Sequence, residues 1–472
     1  MALLGPKFGL FFTPDPDPGQ GDGPTQTHRG AVKPKPLWLR LLLIQEVGLV
    51  VVIILMVLGL TLKTPNIPRP DFIPVPKGQQ AVVTPESITF TNEAGKPITL
   101  KRSDGWVLTQ RGILERAERK QIVTIPAGTT PESIPGGVRM AGTDYLASQG
   151  WQVATTPEGG SQLQRDPLVN KFFNSQNLMI VLTSASFYAI MAVGLTAIIV
   201  LGGIDLSVGA IYALAAVCGA YVLNRMQAGA LDTGIAIPTW LALLVGIGVC
   251  SLVGMVCGLV NGSASVGLGV HPFIITLGGM GVYRGLAFVT TKGLSIGDLP
   301  PAYGDSIRSK ALGGINFVPT TVMLVIGAIG ALIFSRTVFG RRIFAIGGNE
   351  VAAKYAGVPV ARVKVWVFTL AGLLAGLSAS IALGHYGSAS SADGRGYELD
   401  VIAAAVVGGA SLSGGRGSAM GAILGAIIIQ LINNGFESIG VDQNYKQIVI
   451  GLAIVLAVLV DQTKNHFSGS KR

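Results

Sequence analysis

From Leu178 onward, apolar runs of membrane-crossing length follow one another with only short polar interruptions, a series that no soluble fold accommodates. The runs fall at 178–202, 205–224, 238–260, 272–290, 316–335, 365–384, 398–413, 418–435 and 446–460, and an earlier one at Leu41–Leu62 makes ten. A hydrocarbon core of about 30 Å takes roughly 20 helical residues, so the shorter runs imply tilted or broken helices beside Gly-rich turns. Charge follows the same division: residues 178–460 hold 24 charged side chains in 283 positions, whereas 63–177 hold 23 in 115. The whole chain is 13% charged, about half the share usual in soluble domains, which excludes a soluble enzyme. Its 65 glycines suit closely packed membrane helices. The net charge of +10 contains no block of like charge, so it reads as loop bias rather than a nucleic-acid surface. The expected fold is an all-α polytopic membrane protein of about ten transmembrane helices, with a small α+β extracytoplasmic insert between the first two spans.

Residues 1–39 lack a secretory signal pattern and predict a disordered cytoplasmic tail. Residues 40–62 predict an uncleaved first transmembrane helix, 178–460 the transmembrane domain, and 461–472 a second cytoplasmic tail. The insert, 63–177, opens on the Pro-rich linker Thr64–Pro70. Alternation over Ser87–Thr91 and Ile98–Lys101 around Glu93–Lys96 predicts a β-hairpin. A short helix near Ile113–Lys120, a strand at Gln121–Ile125 and a strand pair near Thr143–Thr155 complete the expectation. Basic residues decide orientation. With the N-terminus inside, short cytoplasmic segments hold 15 Lys and Arg, against six in the short outer loops. Both termini are therefore expected inside and the insert outside. Cys218, Cys250 and Cys257 all lie in apolar runs and read as packing residues.

Loop 336–364 carries the densest local code. Asn349 suits an N-cap and Glu350 complements the positive helix end. Lys354 suits the negative end, Gly357 a left-handed C-cap, and Pro359 forbids continuation. Together they predict a free-standing helix of about two turns over 350–356, with Ala352 and Ala353 on its surface. A helix that short is unstable alone in water, so it docks either on its own bundle or on a partner.

Several segments in order resemble one family. Gly202-Gly-Ile-Asp-Leu-Ser-Val-Gly209, His271–Leu277, Gly340–Asn349, Tyr397–Ala403, Gly408–Gly417 and Asn433-Asn-Gly435 are similar to the ribose/xylose-type permeases of bacterial ATP-binding-cassette (ABC) sugar importers. The resemblance covers 178–461 and the first span, about two-thirds of the chain. It implies a bacterial inner-membrane permease that pairs with a second copy or a related chain. It further implies a separate cytoplasmic ATPase carrying ATP and Mg, a periplasmic sugar-binding protein outside, and no nucleic-acid partner. It makes the segment matching 347–358 the contact with the ATPase, so Asn349, Glu350, Ala352, Ala353, Lys354 and Gly357 become the coupling residues. The chain departs from the family in its insert, since members join the first two spans by a short connection. The insert reads either as a docking or capping module for the permease mouth or as an addition without a transport role.

Gly202-Gly-Ile-Asp-Leu-Ser-Val-Gly209 also echoes Gly408-Gly-Ala-Ser-Leu-Ser-Gly-Gly415, which a parallel repeat would explain. Gly203, Asp205 and Ser207 read as a turn and cap opening the next span; a proton or ion relay at Asp205 is the rival reading, because a buried intramembrane acid costs roughly 2.5–3.5 kcal/mol. Phe273, Thr276 and Arg284 offer an aromatic face and polar groups for a hydroxylated solute, and Gln430, Asn433 and Asn434 form a second polar cluster. The rival readings are a snorkelling Arg, a His–Pro helix start and interhelical hydrogen bonds. There is no Gly-x4-Gly-Lys-Ser/Thr phosphate loop and no His-Glu-x-x-His motif, so neither ATP hydrolysis nor a metal site is expected in this chain. Gly293-Leu-Ser-Ile-Gly297 matches a hydrolase elbow, but no strand precedes it. The functional expectation is an ATP-driven importer's membrane subunit for a monosaccharide or similar small polar solute. The alternatives are an ion-coupled secondary transporter and a membrane-anchored receptor or scaffold built on the insert.

Overall fold

The computed structural model describes residues 45–68, 72–74, 82–91, 97–101, 106–108, 113–116, 121–124, 132–140, 142–147, 151–155, 161–165, 168–309, 317–442, 445–452 and 455; the tails expected at 1–39 and 461–472 lie outside them. The helices are α1 (Gln45–Lys63), α2 (Ser175–Val200), α3 (Val208–Thr233), α4 (Thr239–Leu268), α5 (Pro272–Thr291), α6 (Pro301–Ile307) and α7 (Val318–Arg336). After them come α8 (Val338–Gly348), α9 (Glu350–Tyr355), α10 (Val360–Tyr386), α11 (Tyr397–Val407) and α12 (Ala419–Ile439). Among the described residues, eight helices are long and apolar enough to cross a membrane: α1, α2, α3, α4, α5, α7, α10 and α12. Of the ten expected spans, the one at 398–413 is represented by the short α11, and the one at 446–460 is helical over its described part, 445–452.

Burial sorts these helices into layers. Most of the apolar stretch of α2, α3, α10 and α12 is buried within the chain, whereas α4, α5 and α7 turn large side chains such as Leu244, Val289 and Leu332 outward. Such outward faces are what lipid contact requires. Glycine governs the inner packing. On α4, Gly254, Gly258 and Gly262 recur every fourth residue, and α10 answers with Gly372 and Gly376. A Cβ built on Gly254 would land on the carbonyl oxygen of Gly372, and one on Gly372 would land on that of Gly254. Cys250 and Cys257 are buried on α4, and Cys250 packs against Gly219 of α3.

Among its described residues the insert is built of strands: β1 (Asn66–Pro68), β2 (Phe72–Pro74), β3 (Val82–Val83), β4 (Ser87–Thr91), β5 (Pro97–Lys101), β6 (Trp106–Leu108) and β7 (Ile113–Arg116). The second half adds β8 (Gln121–Thr124), β9 (Glu132–Ile134), β10 (Gly137–Met140), β11 (Thr143–Leu146), β12 (Trp151–Thr155), β13 (Ser161–Arg165) and β14 (Leu168–Asn170). They pair antiparallel in small sheets ordered β1-β14, β2-β7-β6, β3-β4-β5, β12-β13-β8 and β11-β10-β9. The expected hairpin is β4–β5, in register Ser87↔Lys101. The expected helix near Ile113–Lys120 is corrected over its described part: Ile113–Arg116 is a strand held between β2 and β6, so distant pairing overrides local propensity. Thr143–Thr155 does contain two strands, but β11 and β12 belong to different sheets. The Pro-rich start is also a strand, since β1 pairs with β14 and the chain leaves and re-enters the bundle through one ribbon.

Asn170 ties that ribbon to the helices. Its Nδ2 donates to the carbonyl oxygens of Thr61 (2.9 Å) and Thr64 (3.2 Å), and its Oδ1 accepts from the Thr64 hydroxyl and the Phe172 and Phe173 amides. Lys171 Nζ donates to the Glu437 carbonyl of α12, and Asn177 and Asn434 exchange amide hydrogen bonds at 2.8 and 2.9 Å. Asn170→Ala strands several of these groups, each costing about 1 kcal/mol or more. Amide exchange over 61–68 and 168–173 is therefore expected to accelerate by about tenfold or more, while the α4–α10 contact keeps its protection. Unchanged protection at the ribbon contradicts this role for Asn170.

The two echoed segments are equivalent helix ends, shifted by one residue from the sequence match. The amides of 201, 202 and 203 bond the carbonyls of Ala197, Ile199 and Ile198, and those of 408, 409 and 410 bond Ala404, Val406 and Ala405. Gly202 and Gly409 share a positive φ, +81° and +93°. The ends meet where the Gly415 amide donates to the Val200 carbonyl at 2.8 Å.

Candidate transport site

Helix α11 has 11 residues, about 16 Å at 1.5 Å per residue, only half of a hydrocarbon core. At its start the Tyr397 ring lies 4.5 Å from that of Tyr188, midway along α2, and 5.3 Å from Tyr212, near the start of α3. The preceding segment, 387–396, therefore runs from the end of α10 back to the middle of the bundle. Gly387, Gly394 and Gly396 give it positive φ angles of +74°, +65° and +83°. Ala389, Ser391 and Gly394 of this segment are buried, whereas Ser388, Ala392 and Arg395 are exposed; non-helical chain at membrane depth needs its polar backbone satisfied by the protein around it. Ala389 and Ile296 exchange backbone hydrogen bonds, the Arg284 guanidinium donates to the carbonyls of Ser391 (2.8 Å) and Asp393, and Gly394 packs its carbonyl against Gly209.

Around this re-entrant segment the rings of four helices converge. Phe187 and Tyr188 come from α2, Tyr212 from α3, His385 and Tyr386 from the end of α10, and Tyr397 from α11. Phe187 lies 5.8 Å from both His385 and Tyr386, and those two rings meet edge to face at 5.0 Å. Among the described residues His385 Nδ1 and Glu398 Oε2 are buried without a hydrogen-bond partner, and Glu398 Oε2 abuts Gly209. Buried polar atoms are normally partnered, which singles these two out within the cluster. One turn into α11, buried Asp400 pairs with Lys446 at 3.0 Å. Aromatic faces with a few convergent polar groups, at the start of a half-length helix, are the elements from which small-molecule sites are built, and they make this cluster the candidate site.

Sequence reasoning missed Phe187, Tyr188, Tyr212, His385, Tyr386, Tyr397 and Glu398 as a group. The available signal was Tyr386 and Tyr397 flanking a Gly/Ser/Asp-rich run beside an undersized span. Of the residues it singled out, Arg284 does not snorkel outward but anchors the re-entrant segment. Thr276 is fully buried and holds the α2–α3 junction, accepting from the Leu206 amide at 3.2 Å and donating to the Ile204 carbonyl. Phe273 is 40% exposed at the start of α5, where His271 Nδ1 caps its amide. Gln430 and Asn433 lie on α12, where Gln430 Nε2 and Asn433 Oδ1 find no partner among the described residues, and neither does Thr320 Oγ1 on α7. A Cβ on Gly327 of α7 would meet Ile423 of α12; two turns further along both antiparallel helices, Thr320 comes level with Gln430. Asn434 is committed to Asn177. The structure does not gather the two predicted sets, because α5 packs on α3 and α4 whereas α12 packs on α1, α2, α7 and α11.

Asp205 is likewise not the interfacial N-cap expected. Ser207 takes the cap position of α3 without a side-chain cap bond, and Asp205 is 3% exposed. The distant Thr276 and Asn261 close over this junction, which the local pattern does not encode.

At the other end of α10 the local code is realised. Asn349 Oδ1 accepts from the Ala352 amide at 2.9 Å, starting α9. Gly357, at φ +79°, ends it with bonds from Gly357 N–H to the Lys354 carbonyl and from Val358 N–H to the Ala353 carbonyl, a Schellman pair. Ala352 is exposed, but Ala353 is buried against the bundle, correcting the expectation that both lie on the surface. The projecting face instead carries Val351 and Tyr355, 65% and 89% exposed. Glu350 pairs with Lys364 of α10 at 2.8 Å through both carboxylate oxygens. Gly347, at the end of α8, packs on the Val200 carbonyl and Gly415.

A bundle of membrane-crossing helices around a broken, re-entrant segment defines a multi-pass transport protein. The family model described as "Branched-chain amino acid transport system / permease component" matches residues 177–458. The chain belongs to this permease family, and within it to the ribose-type ABC sugar permeases. The ribose import permease of Bacillus subtilis (strain 168) is 39% identical over 294 residues, covering 62% of this chain and 87% of the relative. That of Escherichia coli K12 is 36% identical over 295 residues, 62% of this chain and 88% of the relative. The galactose/methyl galactoside import permease of Haemophilus influenzae is 37% identical over 315 residues, 65% of this chain and 91% of the relative. No solved structure matches.

Proposed function

We propose that this chain is the membrane-spanning subunit of an ATP-driven importer that moves a monosaccharide or similar small polar solute by alternating access. A separate ATPase supplies hydrolysis, holding ATP and Mg, and docks on α9. A periplasmic sugar-binding protein delivers the solute, and a second permease copy or related chain completes the pore. Both termini and α9 face the cytoplasm of a bacterial inner membrane, and residues 63–177 face outward. The carrying observation is the exposed Val351–Tyr355 face on a helix fixed at both ends by its own caps. ATP-driven closure of the ATPase would displace α9, and the Glu350–Lys364 pair would pass that displacement to α10, whose far end bears His385 and Tyr386. The ribose and galactose permeases among the relatives support a sugar-sized substrate.

The test is a pair of variants. Gly357→Val puts a β-branched residue at positive φ, costing of order 1–3 kcal/mol, and Glu350→Lys reverses one side of the ion pair. Both are expected to insert normally, to lose the ATPase subunit from a C-terminal-tag pull-down, and to cut uptake of labelled pentose or hexose by more than about tenfold. Unchanged uptake in both variants overturns the coupling assignment.

A further inference from the structure

Along α7 the exposed side chains Val325, Ile329 and Leu332 lie three or four residues apart, forming one outward stripe of the kind that meets lipid. Arg336, one turn beyond Leu332, is the last residue of the helix and continues that stripe, fully in the open. Thr337 then turns the chain, its Oγ1 accepting from the Gly340 amide at 3.0 Å to start α8. A Cβ at Gly340 would land on the Ile333 carbonyl oxygen, and the Phe344 ring meets that of Phe334 edge to face at 5.9 Å. Helix α8 therefore folds back against the last turns of α7 instead of prolonging it.

The two sides of α8 differ sharply. Gly340, Ile343 and Ile346 are buried, whereas Val338, Arg341, Arg342 and Ala345, spaced three and four residues apart, are exposed on one face. Its 11 residues include no acid. Among the described residues at this end of the bundle the carboxylates are Glu46, Asp205 and Glu350, and each is engaged elsewhere. Ser418 Oγ donates to Glu46 at 2.9 Å, the Ser207 amide and hydroxyl donate to Asp205, and Lys364 pairs with Glu350. No carboxylate among the described residues pairs with Arg336, Arg341 or Arg342.

An exposed valine beside three such guanidinium groups, at the end of a lipid-facing stripe, is the arrangement of an interfacial helix, with apolar side chains toward the acyl region and cations at headgroup level. A guanidinium fork matches phosphate oxygens in particular. Charge complementarity selects an anionic occupant, and the place of Arg336 on the lipid stripe selects the bilayer as its source. We propose that Arg336, Arg341 and Arg342 form a binding surface for anionic phospholipid headgroups, with Val338 set at the acyl boundary. Bound lipid anchors α8 at the membrane surface directly before α9. This holds whichever partner docks on α9 and whichever solute is carried.

The purified full chain, exchanged into micelles containing equal phosphatidylglycerol and phosphatidylcholine, tests this through the lipid it retains in native mass spectrometry. Each arginine near an anionic surface strengthens binding about fivefold. Wild type should accordingly retain phosphatidylglycerol over phosphatidylcholine by about tenfold or more, and a high-salt wash should reduce that preference. The R336Q/R341Q/R342Q variant should retain the two lipids about equally while keeping the size-exclusion peak and thermal transition of wild type, since all three sites are exposed. The R336K/R341K/R342K variant, which keeps the charge but not the fork, should keep part of the preference. Equal retention by wild type, or an unchanged preference in the triple glutamine variant, overturns the proposal. Arginines that serve the ATPase instead would show no lipid preference in wild type, and the triple glutamine variant would lose ATPase binding in phosphatidylcholine nanodiscs; that result overturns it as well. Failure of the coupling variants at Glu350 and Gly357 would leave lipid retention unchanged, so the two readings fail separately.

Discussion

A valine at Gly372 abolishes the folded membrane domain. Along the α4–α10 seam the two backbones touch: a Cβ at Gly372 falls on the Gly254 carbonyl, at Gly376 on that of Cys250, and at Gly258 on that of Phe368. Overpacking costs about 1–3 kcal/mol where side chains can shift. Here the obstacle is a carbonyl locked in its own helix, so relief requires the helices to part and the cost reaches or exceeds about 3 kcal/mol. Gly372→Val should therefore lose the monodisperse size-exclusion peak of the solubilised protein and its cooperative thermal transition. Gly278→Val is the control, since a Cβ at that position of α5 meets nothing within 4 Å. A Gly372→Val protein that melts like wild type would remove the seam from the account of stability.

Arg284→Ala should leave the protein inserted but disorder the re-entrant segment. The guanidinium, partly buried on α5, donates to the carbonyls of Ser391 and Asp393, and no other side chain spans from α5 to that segment among the described hydrogen bonds. Hydrogen bonds from a charged group are worth about 1.5–3 kcal/mol each. Losing both removes about 3 kcal/mol or more, which corresponds to a drop of roughly a hundredfold in the ordered population. Tyr397 and Glu398 follow directly on this segment, so the aromatic site loses its α11 side. Uptake should fall by more than about tenfold with expression unchanged, and amide exchange over 388–396 should rise together with it. Arg284→Lys, which keeps the charge but not the fork, should recover only part of both. Wild-type exchange over 388–396 in Arg284→Ala would show that the segment is held by other contacts.

The contrast between these regions follows the range of the interactions that form them. The cap of α9 at Asn349 and its Gly357 end are made by residues within a few positions of one another, and the hairpin 87–101 by neighbouring segments of one short stretch, so their patterns were readable locally. Long apolar runs announced the membrane helices for the same reason, since twenty residues of hydrophobicity are a local property. The glycine content suited close packing, but did not say that α4 faces α10.

Everything that makes a site depended on chain brought from far away. Ile113–Arg116 became a strand because β2 and β6 pair with it. Asp205 is buried because Asn261 and Thr276, more than fifty residues on, close over its junction. The undersized span at 398–413 became the half-helix α11, and the polar segment that precedes it, 387–396, is held because Arg284, over a hundred residues earlier, satisfies the carbonyls of Ser391 and Asp393. Sequence by itself determined the membrane class, the caps of α9 and the family. Tertiary structure alone decided which polar groups are buried, because a buried polar group is stable only when a partner reaches it, and that partner's position is set by the packing of the whole bundle.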